Sequence, residues 1–481
     1  MLHKERWLTI LFSGLFLLCA GMAAFTGQYA LAIIPFALLF FYAGWQHKRF
    51  LFFLLLFAIP FSFEYNFSSG LGTDIPDELL MLLVSVIFFA WLVYSPGVVP
   101  KNTCNHPLLV LLVILMGWTL VTAAFSTSQQ VSFKYILAKS WYLGAFILAP
   151  LILFREKNNL VVAAKTLAAA MLLATMIILF RHAGRGFSFA SINAAASPFF
   201  RNHVNYSSLL VCILPILTGA FILSGKKKTK TWLGLAIGAL LIALFFTYAR
   251  GAWVALLTGI AAYWLIRKRM LVYSYIVFLL VMIGLVFWLQ SNDRYLQYAG
   301  DYKTTIFHAD FGKHLVSTYK LKDLSTAERF YRWVAGVRMI KDNWLTGYGP
   351  NSFYENYKDY TIPAYKTWVS DNPEHSTVHN YFLLTAIEQG IPGLVFLLVL
   401  LGAMLYYAQH IYKRSADKFY KTVAASTGVM IAMIIALNFF SDLIETDKIG
   451  SLFFLCIAVL VTADINSKQG SDLSSDIQRI S

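Results

Sequence analysis

The chain has 481 residues, of which 58% are hydrophobic and only 13% charged, and its mean hydropathy is +0.63. An average soluble domain is about one-quarter charged, so a water-soluble fold is excluded. The net charge of +15 would point to nucleic acid in a soluble protein, but here Lys and Arg collect in short loops between apolar runs, the pattern of membrane topology.

Fourteen runs approach or exceed the roughly eighteen apolar residues a membrane span requires. They lie near 7–25, 29–45, 50–63, 78–96, 107–125, 136–154, 159–180, 204–224, 232–249, 251–266, 271–289, 380–408, 422–440 and 449–464. The third is short and ends at Pro60. The expected fold is therefore an all-α integral membrane protein with about 14 (12–14) transmembrane helices. Its expected parts are an N-terminal bundle over 1–289, one large external loop over 290–379, C-terminal spans over 380–464, and a polar, frayed tail over 465–481.

Alternate loops carry the positive charge. About twenty basic residues fall on one side, among them Lys48, Arg155, Lys226, Arg267, Lys413 and Lys468, against about six in the short loops opposite. That bias predicts cytoplasmic N- and C-termini and an extracytoplasmic large loop. The first run shows no convincing small-residue cleavage pattern and reads as a retained span. The four cysteines, Cys19, Cys104, Cys212 and Cys456, avoid the large loop, so no disulfide framework or Cys-based metal site is expected. The stretch SGKKKTK at 224–230 reads as a cytoplasmic linker, and Lys139 and Lys165 as lysines snorkelling from near the ends of their spans.

The large loop differs from its surroundings: eleven Lys/Arg against ten Asp/Glu, and many aromatics, a composition that can bury side chains and fold. Within it, STAERFYRWVAGVRMIKDNW (325–344) predicts an amphipathic helix lying on the bundle. Ser325 or Thr326 would cap it, and Phe330, Trp333, Val334, Val337 and Ile340 would form its apolar stripe. Gly347, Gly349 and Pro350 end it.

Ionisable groups at the external face are the functional candidates. Arg250, in the turn TYARGAW (247–253), reads either as a snorkelling arginine or as an anion ligand, with Gly251 permitting close backbone approach. Arg329 shares a helix face with Trp333, and Arg332 lies elsewhere around the same helix. His379 and Asn380 stand where the chain re-enters the membrane, and a histidine there can take a proton from an attacking hydroxyl. His375, four residues earlier, is the alternative base; the two could also share a helix face as metal ligands, but no third ligand accompanies them. Arg201 and His203 cluster at an external helix start, which suits an anion or an ordinary cap.

Taken together, these stretches resemble the O-antigen ligase and polymerase family of bacterial envelope glycosyltransferases. TYARGAW is similar to its Ser/Thr-x-x-Arg-Gly-Ala turn. AERFYRWVAGVRMIKDNWLTGYGPNSF resembles its loop helix followed by a Leu-Thr-Gly-x-Gly turn, and HNYFLLTAIEQGIPGL its His-Asn-x-x-Leu and Glu-x-Gly-x-x-Gly segment. The resemblance covers about 245 to 400, and Trp344 stands where the family more often has proline. It implies an inner-membrane enzyme that transfers a glycan from an undecaprenyl-diphosphate carrier to an acceptor hydroxyl at the periplasmic face, by inversion, with neither metal nor cofactor. Arg250 and Arg329 would bind the donor diphosphate and His379 would be the base, with His375, Asn380, Arg332, Arg201 and His203 in possible support. The acceptor is lipid A core for a ligase, another glycan for a polymerase, or a protein Ser/Thr for an oligosaccharyltransferase, with the ligase favoured. A polysaccharide or lipid transporter is the different-class alternative, and it would show midplane charges and related halves, which the sequence lacks.

Overall fold

The computed structural model describes residues 12–19, 21–22, 25–26, 34–68, 71–292, 294, 324–363, 366, 370–372 and 375–480. Past the helical residues 12–19, 21–22 and 25–26 lie two short helices, α1 (Ile34–Gln46) and α2 (Lys48–Ala58). An antiparallel hairpin follows, β1 (Phe63–Ser68) and β2 (Leu71–Ile75), with Phe63 opposite Ile75. The rest is helical: α3 (Asp77–Tyr94), α4 (Pro107–Ala124), α5 (Gln129–Leu153), α6 (Lys157–Ala183), α7 (His203–Leu223), α8 (Lys227–Phe245), α9 (Arg250–Lys268), α10 (Leu271–Gln290), α11 (Leu324–Asp342), α12 (Tyr381–Arg414), α13 (Lys418–Phe440) and α14 (Asp447–Ile480).

Among the described residues, ten of these are long and apolar enough to cross a membrane, all of them between α3 and α14. α9 is as long as several of the ten, and charged Arg250, Arg267 and Lys268 at its ends lower its hydropathy. The described residues of the expected span 7–25, namely 12–19, 21–22 and 25, are helical, and residues 50–63 form only α2 and a turn through Pro60. The expected linker at 224–230 is shorter than that, because α8 starts at Lys227. The polar tail, expected as a frayed end, continues α14 to Ile480, and no proline interrupts it.

Burial orders the bundle. The membrane-length part of α14 is 89% buried, and α7 and α13 are each 67% buried, so these form the centre. α10 is 6% buried and α8 17%, so both lie at the rim. Side-chain caps mark the starts of α7, α13 and α12: Asn202 accepts from Asn205 N, Asp417 from Phe419 N at 2.8 Å, and Asn380 from Leu383 N at 2.9 Å.

α12 is broken where the large loop docks. Gly390 has φ 69° and ψ 179°, and Pro392 follows it. The turn after α11 inserts into this break: Tyr348 N donates to Ile387 O (3.0 Å), Gly349 N to Glu388 O (2.9 Å), and Ile391 N to Trp344 O (2.8 Å). The Glu388 carboxylate closes the joint by accepting from the backbone N–H of Asn351 (2.8 Å) and Phe353 (3.2 Å). A second, smaller core made of Ala335, Met339, Tyr348, Phe353, Tyr357 and Val378 packs there on Leu384 and Ile387 of α12. Glycine is required at the joint: a Cβ on Gly390 would sit 2.1 Å from Leu345 O, and one on Gly347 would lie 2.5 Å from the Glu388 carbonyl carbon. Gly390→Ala should therefore cost about 3 kcal/mol or more, from left-handed strain plus a backbone clash. Thermal unfolding of the purified variant checks this, against Gly238→Ala, where a Cβ meets nothing within 4 Å and helix propensity improves.

Candidate functional site

α11 begins at Leu324, a residue ahead of the expected Ser325 or Thr326 cap. Its buried face is not the expected one either. Ala327, Glu328, Tyr331, Arg332, Ala335 and Met339 are buried, while Phe330, Trp333, Val337 and Ile340 are half-buried; of the expected stripe, Val334 alone is fully covered. The face is turned because the re-entry segment before α12 lies across it and brings polar partners. Arg332 pairs with Glu328 (3.3 Å) and donates to Thr377 O (3.1 Å). Ser370 donates to Glu328 (2.6 Å), and Trp333 Nε1 to Val378 O (2.7 Å). Arg332 thus holds the loop helix to the re-entry segment, one turn away from half-buried Arg329.

The re-entry segment is not helical, so His375 and His379 do not share a helix face, and the spacing considered for a metal pair does not arise. Both have positive φ, 53° and 51°, as does Asn372 at 51°. Such backbone strain persists only where surrounding structure enforces it. His375 is stacked on Tyr354, with ring centroids 3.7 Å apart, and its N–H is bonded to Asn372 O. Asn380 is engaged as the cap of α12, and its amide donates to Phe439 O (3.1 Å).

His379 faces the loop between the last two spans. Its Nδ1 lies 3.7 Å from Asp442 Oδ1, and about a third of its side chain is exposed. Asp442 also accepts from the Thr377 hydroxyl (2.7 Å). Burial alone would raise the Asp442 carboxyl, but the His379 ring and the Thr377 hydroxyl outweigh it and hold it below the ordinary carboxylate range. An ionised Asp442 is therefore placed to fix the orientation of the His379 ring, a role that the sequence reading missed. The only signal was the acidic stretch SDLIETDK after Phe440.

Arg250 stands at the first turn of α9, whose preceding residues make a tight turn with Tyr248 at φ 57°. Gly251 does not owe its place to crowding, since a Cβ there would make an ordinary 3.9 Å contact with Phe440 Cβ. The nearness of Gly251 to Phe440 sets Arg250 beside the end of α13, two residues before Asp442. The Arg250 turn and the segment carrying His379 both adjoin Phe440–Asp442, where Tyr381 N also donates to Ser441 O (3.1 Å), while the Arg329 helix is tied to the same re-entry segment through Thr377 and Val378. His203 lies one aromatic ring from this turn: Phe189 packs edge-on against both His203 (6.1 Å) and Tyr248 (5.6 Å). The His203 ring is bonded to Asn193 (2.8 Å), and Arg201 is exposed.

Of the two lysines within spans, Lys165 is exposed, as snorkelling requires. Lys139 is not a snorkelling residue. It is buried and paired with Glu445 at 2.9 Å, and Glu445 also takes the Tyr135 hydroxyl at 2.9 Å. A carboxylate arriving from the last loop makes the inward position cheaper than a reach to the interface.

Fold and site together define a polytopic α-helical membrane protein with a folded loop, a His–Asp pair and arginine-bearing segments gathered at one end of the bundle. The O-antigen ligase family model matches residues 235–398. The O-antigen ligase of Salmonella typhimurium is 26% identical over 220 residues, a stretch covering 44% of this chain and 49% of that protein. With the motifs, these matches show that the chain is similar to the O-antigen ligase family over residues 235–398. The matched part spans about half the length of that relative.

Proposed function

We propose that this chain transfers a glycan from an undecaprenyl-diphosphate carrier to an acceptor hydroxyl at the periplasmic face of the inner membrane, with both termini cytoplasmic. The observation that supports the reading is the His379–Asp442 pair, its carboxylate in a loop whose start lies beside the Arg250 turn. As the anomeric bond breaks, negative charge gathers on the diphosphate, and the guanidinium groups of Arg250 and Arg329 stabilise it. His379 takes the proton of the attacking hydroxyl, and Asp442 steadies the imidazolium that results. Attack from the face opposite the leaving group inverts the anomeric carbon. The favoured acceptor is lipid A core, as in a ligase.

Reconstitution tests this directly: purified protein is supplied with carrier-linked glycan and, in turn, lipid A core, a second carrier-linked glycan, or a Ser/Thr peptide. Product on lipid A core is the expected result. Product on another acceptor keeps the chemistry and changes the acceptor, and no transfer to any of them would overturn the reading. With two arginines meeting the diphosphate charge, the catalytic step is expected to need no divalent metal. Well below the unfolding temperature, EDTA should leave the turnover rate unchanged. A rate lost in EDTA and regained with magnesium or manganese would show that the arginines do not suffice.

A further inference from the structure

Past Asp442 the same loop ends at Asp447, and a second group of acidic residues gathers there. One carboxylate oxygen from each of Asp74, Asp77 and Asp447 lies within 4.8 Å of the other two. They come from three elements: Asp74 from β2, Asp77 from the first turn of α3, and Asp447 from the first turn of α14. Asp77 is 1% exposed. Its Oδ1 accepts from the Ser62 hydroxyl and from Glu78 N (2.9 Å), while its buried Oδ2 accepts no hydrogen bond. The neighbouring cation, Lys448, directs its ammonium to the carbonyl oxygens of Ile59 (2.7 Å) and Ser62 (3.0 Å). Glu78 adds a fourth carboxylate nearby, held by the Thr73 hydroxyl and Asp74 N (3.1 Å).

A buried carboxylate oxygen without a partner costs free energy, and neighbouring carboxylates in one pocket oppose each other's ionisation. Three convergent oxygen donors with no sulfur or imidazole among them suit a hard cation rather than zinc or copper.

We propose that Asp74, Asp77 and Asp447 bind a divalent cation of the calcium or magnesium type, which ties the β-hairpin and the head of α3 to the head of α14. The cation braces the short loop whose other end carries Asp442. It takes no part in glycan transfer: its ligands are not the residues assigned to the donor or the acceptor.

The test uses the full chain, purified in detergent and stripped with EDTA. Tyr142, whose hydroxyl is bonded to Asp447, serves as an internal sensitiser for terbium luminescence. Terbium should give saturable emission that calcium or magnesium displaces, and the same cation should raise the unfolding temperature by on the order of a few degrees. Asp77→Asn and, separately, the half-buried Asp74→Asn should each weaken binding at least about tenfold; the second variant guards against a folding defect in the first. Absence of saturable emission in the unsubstituted chain, or emission unaltered in both variants, would overturn the proposal and leave the carboxylates sharing a proton. Neither readout involves turnover, so failure here is separate from failure of the glycan-transfer reading.

Discussion

Replacing His379 by alanine is expected to lower the rate of glycan transfer by about two to four orders of magnitude while leaving donor binding nearly intact. The acceptor hydroxyl is a poor nucleophile until its proton has somewhere to go, and of the two candidate bases His379 is the one set against a carboxylate, 3.7 Å from Asp442. His375 is differently engaged, stacked on Tyr354 at 3.7 Å and bonded through its backbone within a turn. His375→Ala should lose much less rate, with a modest loss of stability from the missing stack. The two variants are measured side by side for membrane insertion, donor binding and single-turnover transfer. If His375→Ala is the inert one, the roles exchange. If both losses are mild, the hydroxyl has no histidine base and the arginines carry the catalysis.

Asp442→Asn is expected to cost about two orders of magnitude in kcat with little change in donor KM, because the substitution keeps the shape and removes the charge that orients the His379 ring. Asp442 acts through His379, so the two losses should not add: the double variant should be little worse than His379→Ala. Additive losses would show that Asp442 works independently. A second readout concerns pH. The Asp442 carboxyl is held below its ordinary value, so its contribution to stability is fully present above the unfolded carboxylate value and is lost as pH falls through the lower folded one. The Asn variant should lack that part of the acid destabilisation. Unfolding midpoints measured from neutral to acid pH compare the two chains.

Much of the architecture was legible because the membrane simplifies the code. An apolar run of span length has few alternatives in hydrocarbon, and α3 to α10 and α12 to α14 lie close to where their runs predicted. The Gly347, Gly349 and Pro350 turn was legible too, although its partner was not: only the structure shows Gly390 breaking α12 to receive it. α11 shows where periodicity fails. Its apolar residues suggest one face, but the face that is buried carries Glu328 and Arg332, because the re-entry segment supplies Ser370 and Thr377 as partners. Helical spacing cannot anticipate a polar face covered by chain more than forty residues away. Asp442 was hidden for the same reason. It stands 63 positions after His379 in a short acidic loop, and no local spacing relates the two.

The order of assembly follows from the loop between α13 and α14. Several of the site's contacts pass through it: Asp442 meets His379 and Thr377, Phe440 lies beside Gly251 at the head of α9, and Ser441 O accepts from Tyr381 N. During synthesis, the Arg250 turn and the loop helix reach the membrane long before residues 440–447 emerge. A nascent chain that has inserted everything through α12 therefore holds both arginines and His379 without the carboxylate that aligns the imidazole. On the proposed function, the protein would become competent only when its last helical pair is threaded, and a ribosome-bound or prematurely terminated chain would occupy the membrane without drawing on the carrier-linked donor.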